Sequence, residues 1–565
     1  MRLAMKTYKT IAAALLLAVG LSSCESLLDV SNPNYFTDDQ MAEFMAGSPE
    51  AEAQVLTGLV GTLPGYINIY DASLNGGYSN LYAYESNFEF RRFIQSGDAV
   101  EGSQLNQGTY SKWYQNLPSN TYWRTDQPVD NYGYYLGPVF KVGPAQKALD
   151  FLTEDKVEKY PSMRASRAQA LTLKAIAYML LMERYTDLKD VTSTTKQGWP
   201  IYNKFDYNAP QEPLSVADTW AWVNETFAEA VELFHTSTYG DKGYTIGSDV
   251  NSIYDIDCAV AQYYRARAAL DSKEWDTVIE AATDLLNHMP DFIKAEDYGM
   301  NQELLPLVNQ RGGVSESLPN GTYWSGIDFN AAQNAFYNLD KNPEAIFGGA
   351  RGSSSIFWSN CALNVLKNTP SGYYQVDKGI YDALSDNDCR KACILAADFD
   401  GYRVYSNNGA DTTWFAYTMP KYTSLKWAAS SAIGYKNHTN DANTSDNVYL
   451  RSSAVWLMLA EAYAQKGDNA KAEETLNKLL AARTVKGAPA MTCSNTMTGK
   501  NTMEKVKLQW RIEMWGEGDW AFYNQKRWGA LNQRGDNHWS KTQIPAEGLT
   551  WEIPQTERQG NPYWK

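Results

Sequence analysis

Two stretches of the chain are rich in the side chains that bind or cleave sugars. Residues 508–529, LQWRIEMWGEGDWAFYNQKRWG, hold four tryptophans, two arginines and three carboxylates. Residues 113–128, WYQNLPSNTYWRTDQP, hold four aromatic residues around a turn-forming Pro-Ser-Asn. Aromatic rings stack on the apolar faces of sugars while charged side chains hydrogen-bond the hydroxyls, and paired carboxylates can cleave glycosidic bonds. Binding, catalysis and scaffold are therefore the alternatives for each stretch.

The spacing within residues 508–529 favours a scaffold. Trp510, Glu513 (or Met514) and Glu517 follow one helix face. Gly516 and Gly518 then break the helical pattern, and Arg-Trp-Gly suits a second helix that ends at Gly529. Aromatic residues and Arg–carboxylate pairs at this spacing dock helices and fix their register. We therefore expect this stretch to be structural.

The ligand site is expected in an aromatic-rich region upstream. Residues 66–135 contain 16 aromatic residues in 70 positions, against 13% aromatic residues overall. Turn-rich segments around LPNGTYWSG and SSIFWSN add two further tryptophans. Each ring could instead pack in a core, as we expect of Trp275 and Trp456, which have helical spacing. The predicted ligand-binding residues are Tyr82, Trp113, Tyr122, Trp123, Arg124, Asp126, Trp324 and Trp358.

Little in the sequence points to catalysis. The four histidines are scattered without metal-type spacing, and there is no Gly-x-Ser-x-Gly nucleophile elbow or phosphate-binding glycine loop. A glycoside hydrolase needs only two of the 65 acidic residues and stays an alternative. We predict a protein that is not an enzyme and needs no cofactor.

The acidic segment SDNDCRK, residues 385–391, could suggest a Ca²⁺ site. It lacks the glycine and the terminal glutamate of an EF-hand loop. Capping of a helix N-terminus by Asp386 or Asp388 is the favoured interpretation. We therefore predict no metal site.

The net charge argues against nucleic acid as a partner. The chain carries a formal charge of −15. Without residues 1–23, which contain three basic and no acidic residues, the charge is −18. Such a surface repels phosphate backbones.

The N-terminal segment has the pattern of a lipoprotein signal. A basic segment, MRLAMKTYK, precedes the apolar run IAAALLLAVGL, and Leu-Ser-Ser leads to Cys24. The run is too short for a permanent transmembrane helix. The Leu-Ser-Ser-Cys pattern resembles a bacterial lipobox, which implies cleavage before Cys24 and its acylation. An ordinary secretory signal with a chance cysteine is the alternative.

The remaining cysteines do not form a disulfide framework. Their number is odd, five. No additional Cys or His pair stands near Cys389 and Cys393 to complete a zinc site. We predict buried thiols at Cys258, Cys361, Cys389, Cys393 and Cys493.

The elements that position the candidate residues are predicted to be mainly helical. Residues 167–187, 258–287 and 452–483 have apolar residues at helical spacing. The last two ranges superimpose with an offset of 194, each reading as helix, short turn and helix. Small residues on the first helix of each pair allow close packing, as in tetratricopeptide repeats. Residues 66–135 and 300–450 read as loops and short strands, which are often functional.

A series of motifs runs in order along almost the whole chain. They are LSSC, RAQALTLKAIAYMLLMERYTDL with GWPIY, NPEAIFGGAR (342–351), DNDCRKA (386–392), PKY (420–422), VYLRSSAVWLMLAEAYAQKGDNAKAEETLNKL, residues 508–529 and IPQTERQGNP (553–562). No motif is specific by itself, but together and in this order they resemble the motifs of the SusD/RagB family of Bacteroidetes lipoproteins. Asp519-Trp520 and Asn524-Gln525 depart from the family pattern, and the turn TDLKDVTSTTKQGWP is longer than usual.

The resemblance implies tetratricopeptide-like helix pairs with an irregular loop-rich lobe. It also implies a lipid-anchored protein on the outer face of the outer membrane that captures a glycan. A SusC-like TonB-dependent transporter would be its partner. Capture of peptides on the same scaffold, or a role mainly as a transporter lid, are the alternatives.

The expected organisation follows from these patterns. Residues 1–23 are a signal peptide, residues 24–40 a lipid-anchored tether, and residues 41–565 one domain. Within that domain the helical scaffold covers about 41–65, 136–300 and 450–565. The loop-rich ligand lobe covers about 66–135 and 300–450.

Overall fold

The computed structural model describes most of the chain after residue 48. The described ranges are 49–67, 89, 92–101, 128–204, 209–244, 253–304, 334–336, 341–349, 374–407, 411–427, 447–543 and 546–564. The chain divides into two compact units, residues 1–61 and 62–565. The predicted boundaries after residues 23 and 40 lie outside the described residues and stay predictions.

In the first unit, residues 49–61 are described. They contain helix α1, Pro49–Val60. Proline is favoured at the first helical position, and Glu50 and Glu52 complement the positive end of the helix dipole.

The second unit begins with helices that follow the predicted apolar periods. A 3₁₀ turn at Leu63–Tyr66 precedes them. The helices are α2 Pro128–Phe151, α3 Glu154–Lys159, α4 Arg164–Tyr185, α5 Val216–His235, α6 Cys258–Ser272 and α7 Trp275–His288. Short 3₁₀ turns lie at Pro161–Met163, Ala295–Asp297 and Gln302–Leu304. A left-handed turn lies at Gly240–Gly243.

The C-terminal part of the second unit is again mainly helical. Its helices are α8 Lys378–Ala383, α9 Cys389–Ala392, α10 Ser452–Gln465, α11 Asn469–Ala482, α12 Cys493–Thr496, α13 Thr502–Glu513, α14 Trp520–Trp528 and α15 Gln555–Gly560. A 3₁₀ turn lies at Ala546–Leu549. The mainly helical fold class is confirmed.

The long helices pack in sequence, each against its neighbour. Helix α4 lies between α2 and α5, α5 packs on α6, and α6 on α7. Helix α7 then packs on α10, which also contacts α11 and α13. Side-chain caps fix several of the helix starts: Asp257 accepts from Val260 N at α6, and Asn501 and Glu504 form a capping box at α13.

The predicted internal repeat is present in the structure. An offset of 194 superimposes the first residues of α6 and α7 on those of α10 and α11. The aligned small residues are fully buried in both pairs, Ala266 with Ala460 and Ala268 with Ala462. Small residues there let the second helix of each pair approach closely, which is why the pattern recurs.

Short strands occur in the two regions that were predicted to be loop-rich, about 66–135 and 300–450. They are β1 Ala99–Glu101, β2 Ala345–Gly349, β3 Tyr374–Val376, β4 Phe399–Asn407, β5 Asp411–Met419 and β6 Asn447–Arg451. They form three two-stranded antiparallel sheets, β1–β3, β2–β6 and β4–β5. Short strands in this region agree with the prediction, although α2 begins eight residues before the predicted scaffold boundary at 136.

Two smaller predictions can also be compared with the structure. Trp456 is buried as expected, whereas Trp275 is only partly buried because it begins α7, where one side of the helix faces solvent. The thiols of Cys258, Cys389, Cys393 and Cys493 are free and buried, as predicted. Cys361 lies outside the described residues. Within the described ranges, none of the helices combines the length and apolarity needed to cross a bilayer.

Candidate functional site

The predicted ligand-binding residues lie in four segments outside the described residues. These segments are 68–88, 102–127, 305–333 and 350–373, and the structure describes the residues that flank them. The ligand roles therefore stay predictions. The predicted residues in these segments are Tyr82, Trp113, Tyr122, Trp123, Arg124, Asp126, Trp324 and Trp358.

The described residues next to two of these segments lie side by side. Segment 102–127, which carries Trp123, follows Glu101 at the end of β1. Segment 350–373, which carries Trp358, ends at Tyr374, where β3 begins. Glu101 and Tyr374 are cross-strand partners in the β1–β3 sheet, so their Cα atoms lie about 4.5–5.5 Å apart. This strand pairing therefore brings together two residues that are 273 positions apart in the sequence.

The residues that follow a third segment pack in a hydrophobic core that also includes β1. Segment 305–333, which carries Trp324, is followed by Asn334, whose side-chain amide donates to the Lys426 carbonyl oxygen (2.9 Å). Phe336 packs edge-on against Tyr298 with ring centroids 5.0 Å apart. Phe336 and Tyr374 belong to one cluster of buried apolar residues, together with Ala99 and Val100 of β1.

Side chains of residues 508–529 hold the start of strand β1 in place. Arg511 Nε donates to Asp98 Oδ1 (2.7 Å), and the indole N–H of Trp515 donates to the Asp98 carbonyl oxygen (2.8 Å). Farther along the chain, the indole N–H of Trp539 donates to the Glu101 carbonyl oxygen (2.7 Å). The strand β1 and the residue before it are therefore held by C-terminal side chains.

The carboxyl groups at this strand are poorly solvated. Burial raises the pKa of Glu101 to about 8. Burial also raises the pKa of Asp98 to about 6, although the Arg511 guanidinium opposes the shift. Glu101 is 1% exposed, and among the described residues its Oε2 atom has no hydrogen-bond partner.

The fourth segment, 68–88, is flanked by residues of a cavity in the second unit. Ile67 and Glu89 both line this cavity, which has about 610 Å³ of empty space including its open side. Trp427, the residue before the undescribed range 428–446, also lines it, and so does Val448 of β6. Other lining residues are Tyr263, Tyr264, Arg267, Tyr449, Asp519 and Trp520.

The cavity carries more acidic than basic groups. Desolvation and the Asp519 carboxylate raise the pKa of Glu89 to about 7. Arg267 is bound by Glu183 in two hydrogen bonds of 2.6 and 2.8 Å. Tyr263, Tyr264 and Arg267 fall within the predicted helix pair at residues 258–287, and only the fold shows that they border a cavity.

The carboxylates of residues 508–529 are engaged by arginines. Glu513 accepts from Arg390, Arg451 and Arg483 at 2.8–3.1 Å, with all four side chains buried. Although burial opposes ionisation, the Arg483 and Arg451 guanidiniums hold the pKa of Glu513 well below its usual range.

Glu517 also accepts from Arg451 Nε (2.7 Å), and Asp519 lies 3.5 Å from Arg267. The geometry therefore agrees with the structural role that was expected for residues 508–529. Helix α13 ends at Glu513, three residues before the break that was predicted at Gly516. As predicted, Gly529 in the left-handed conformation (φ 64°) ends α14.

The acidic segment 385–391 caps a helix. Asp388 Oδ1 accepts from Arg390 N (2.9 Å) at the start of α9, which is one of the two predicted caps. Asp386 pairs instead with Lys391 (2.7 Å). No grouping of three or more His, Cys, Asp or Glu side chains suited to a metal ion occurs among the described ranges.

Comparisons with known proteins agree with this architecture. Residues 343–561 match the SusD family. No curated protein matches the chain in sequence.

Several solved structures share the fold. A SusD-like carbohydrate binding protein from Bacteroides vulgatus is 18% identical (TM-score 0.57), with 91% of this chain and 96% of that chain covered. A SusD superfamily protein from Bacteroides thetaiotaomicron is 16% identical (TM-score 0.58; 90% and 99% covered). Surface glycan-binding protein A from Bacteroides fluxus is also 16% identical (TM-score 0.55; 90% and 96% covered).

At these identities the solved structures establish the fold, and the family match covers the part of the chain that contains β2, β6 and the helix pair α10–α11. The expected resemblance is confirmed for residues 343–561, which match the SusD family, and the solved SusD-like structures show that the chain shares their fold.

Proposed function

We propose that this protein captures a glycan at the cell surface and delivers it to a SusC-like TonB-dependent transporter. Lipidated Cys24 anchors it to the outer membrane, and it makes or breaks no bond in the ligand. The match of residues 343–561 to the SusD family and the shared fold support this role, as do two proteins of similar fold, a SusD-like carbohydrate binding protein and a surface glycan-binding protein.

One observation carries the glycan proposal furthest. The Glu101–Tyr374 pairing puts the residue before segment 102–127 beside the residue after segment 350–373, and these segments carry Trp123 and Trp358. A single stacked ring adds only about 0.5–1.5 kcal/mol beyond area burial. Micromolar affinity, about −8 kcal/mol, therefore needs several rings together with polar contacts. Convergence of aromatic-bearing segments is the arrangement that such a site requires.

The alternatives differ in what the ligand must offer. A peptide can be captured by main-chain hydrogen bonding along a strand edge, with less need for aromatic residues. A transporter lid that binds no ligand needs neither a free strand edge nor exposed aromatic residues. A glycoside hydrolase needs two available carboxylates, whereas Glu513, Glu517 and Asp519 are paired with arginines.

Calorimetric titration separates these roles. The soluble protein, residues 25–565, is titrated with a panel of plant and mucin polysaccharides and, in parallel, with peptide mixtures. Saturable binding to at least one polysaccharide supports the proposal. Flat polysaccharide titrations with measurable peptide binding overturn it in favour of peptide capture, and reducing sugar released during incubation reveals hydrolysis.

Partnership with a transporter needs a separate test. Affinity purification of this protein from outer membranes solubilised in mild detergent should recover a large β-barrel protein in stoichiometric amount. Recovery of this chain alone contradicts the delivery role while leaving glycan capture intact.

A further inference from the structure

Two histidines and two aspartates meet where helices α5 and α7 end. His235 is the last residue of α5, and His288 is the last residue of α7. His235 Nε2 lies 3.4 Å from Asp284 Oδ2, and His288 Nε2 lies 3.5 Å from Asp241 Oδ1. Asp241 belongs to the left-handed turn at Gly240–Gly243. The two histidine side chains are 26% and 19% exposed, so water screens these contacts only in part.

The turn at Gly240–Gly243 is under backbone strain. Asp241 (φ 45°) and Lys242 (φ 53°) are consecutive residues with a side chain in the left-handed region, which is unfavourable for L-amino acids. A Cβ atom added at Gly243 would lie 2.6 Å from Phe234 Cβ, so the turn lies directly on α5. A strained turn of this kind persists only where its surroundings hold it.

The contacts of Asp284 provide part of that support. The Tyr244 hydroxyl donates to Asp284 Oδ2 (2.8 Å), as does the side-chain amide of Gln262 from α6 (2.7 Å). The Tyr244 ring stacks on the His288 ring, with centroids 3.8 Å apart. Although burial opposes ionisation, the hydrogen bonds from Tyr244 and Gln262 hold the pKa of Asp284 below its usual value. Asp284 is therefore charged at neutral and at mildly acidic pH.

The tautomer of His288 makes its contact with Asp241 depend on a proton. His288 Nδ1 lies 3.0 Å from the Asp284 carbonyl oxygen, which only accepts hydrogen bonds, so Nδ1 carries the hydrogen. In the neutral ring, Nε2 then presents a lone pair to the Asp241 carboxylate, and the contact is repulsive. In the protonated ring both nitrogens donate, and the contact becomes an ion pair. His235 Nε2 faces Asp284, and among the described residues it has no hydrogen-bond partner.

The surrounding groups leave the histidines as the natural proton sensors. Burial raises the pKa of Tyr244 and of Cys258, the first residue of α6, so both stay neutral. Arg164 donates to the Thr236 carbonyl oxygen next to His235 (3.0 Å) and stays charged. Other charged side chains of the turn and of the start of α6 are Lys242, Asp255, Asp257 and Arg265. Histidine ordinarily changes its charge between pH 5 and 8, and the negative ends of the two helix dipoles favour the protonated rings.

We propose that His235, His288, Asp241 and Asp284 form a proton-sensitive latch that holds the turn at Gly240–Gly243 against α5 and α7. When both rings carry a proton, two ion pairs hold the strained turn. When the rings are neutral, His288 repels Asp241 and the turn opens more readily. The stabilisation is therefore present at mildly acidic pH and is lost as the pH rises. The inference goes beyond the proposed function, because it requires neither a glycan nor a transporter.

Hydrogen–deuterium exchange measured by mass spectrometry tests the latch in the soluble protein, residues 25–565. Exchange of residues 236–244 is measured at pH 5.5 and pH 8 and is divided by the intrinsic rate at each pH to give protection factors. In the wild type, protection should be about 3- to 10-fold lower at pH 8, because two partly exposed ion pairs contribute modestly. Peptides from α11, which contains no histidine, report any change in the rest of the protein.

Three variants separate the latch from a general effect of charge. The double variant His235→Gln/His288→Gln keeps polar side chains that do not titrate, and its protection should agree at the two pH values within about twofold. Asp241→Asn removes the charge that faces His288 and tolerates the left-handed conformation, so its pH effect should be smaller than in the wild type. Asp276→Asn is the matched control and should behave as the wild type. Asp276 lies in the first turn of α7, and its side chain is 87% exposed.

Each other outcome contradicts the latch. Equal protection of residues 236–244 at the two pH values in the wild type would show that protonation does not hold the turn. A full pH effect in the double variant would show that other groups sense the proton. If the double variant does not fold, Asp241→Asn decides, since the Asp241 side chain is 61% exposed, and a wild-type pH effect in it overturns the latch. Loss of the pH effect in Asp276→Asn would assign it to the total charge of α7.

Discussion

Arg451 and Glu513 form a fully buried ion pair, with Nη2 3.1 Å from Oε1. Arg483 binds the same carboxylate oxygen at 2.8 Å and also reaches Glu344 Oε1 at 2.6 Å. The network joins the ends of β6, α11 and α13, and Glu344 adds the residue before β2. It therefore ties the helical repeat α10–α11 to strands β2 and β6 and to α13.

Removal of the central charge should be costly. Glu513→Gln leaves three buried guanidiniums with less compensation, and breaking a buried pair costs about 3–5 kcal/mol. We expect the free energy of unfolding, measured by urea titration, to fall by that amount. The control is Glu474→Gln, which removes an exposed partner 3.8 Å from Lys478 and should cost less than about 1 kcal/mol. Equal losses in both variants would show that burial of the network does not matter.

The aromatic residues predicted for ligand contact should act on affinity rather than on stability. Replacing both Trp123 and Trp324 by Ala should weaken glycan binding by at least about tenfold, because two stacking contacts are lost. Calorimetry gives the affinity, and circular dichroism gives the thermal midpoint, which should not change. Trp275→Ala, at a tryptophan of the repeat helix α7, is the control and should bind normally. Unchanged affinity in the double variant would show that other rings hold the ligand.

Glu101 should make the protein less stable as the pH rises. Burial raises its pKa in the folded protein to about 8, from 4.5 in the unfolded chain. The folded state therefore holds the proton more tightly, and the resulting stabilisation is fully present below about pH 4.5 and lost as the pH rises to 8. The loss amounts to at most about 5 kcal/mol, at 1.36 kcal/mol for each unit.

Glu101→Gln tests this dependence, because the amide does not titrate. Urea unfolding of both proteins at pH 5 and pH 8.5 gives the double difference that isolates this group. The variant should lose less stability than the wild type over this interval. Parallel losses in the two proteins would mean that Glu101 ionises normally in the folded state.

The two halves of the internal repeat should tolerate added volume equally poorly. Ala268 and Ala462 align at the offset of 194 and are both fully buried. Ala268→Leu and Ala462→Leu should each cost about 1–3 kcal/mol, since extra methylenes in a packed interface force shifts. Thermal unfolding measures the effect. Ala481→Leu, on the exposed side of α11, should change stability by less than about 0.5 kcal/mol.

Lipidation predicts a specific effect at Cys24. Cys24→Ala should remove acylation and release the protein from the membrane, because stable anchoring of a soluble domain needs multiple acyl chains. Cell fractionation and metabolic labelling with a fatty-acid analogue report the two steps. Retention of the unlabelled variant in the membrane fraction would point to a different anchor.

The sequence alone determined the helical scaffold. Periodic apolar residues specify helices locally, so the helix pairs 258–288 and 452–482 and their offset could be read directly. Glycine positions and charge spacing likewise predicted the two helices within residues 508–529, because caps and same-face pairs depend on neighbours only a few residues away.

The meeting of distant segments was decided by the tertiary structure. No local sequence pattern predicts that Glu101 pairs with Tyr374. The same is true of the three arginines that share Glu513, and of the cavity that Tyr263 borders with Asp519. These contacts join residues up to several hundred positions apart, and they form because the packed helices bring buried charges and strand edges together. The helices could thus be predicted from the sequence, whereas the contacts between distant residues could be seen only in the fold.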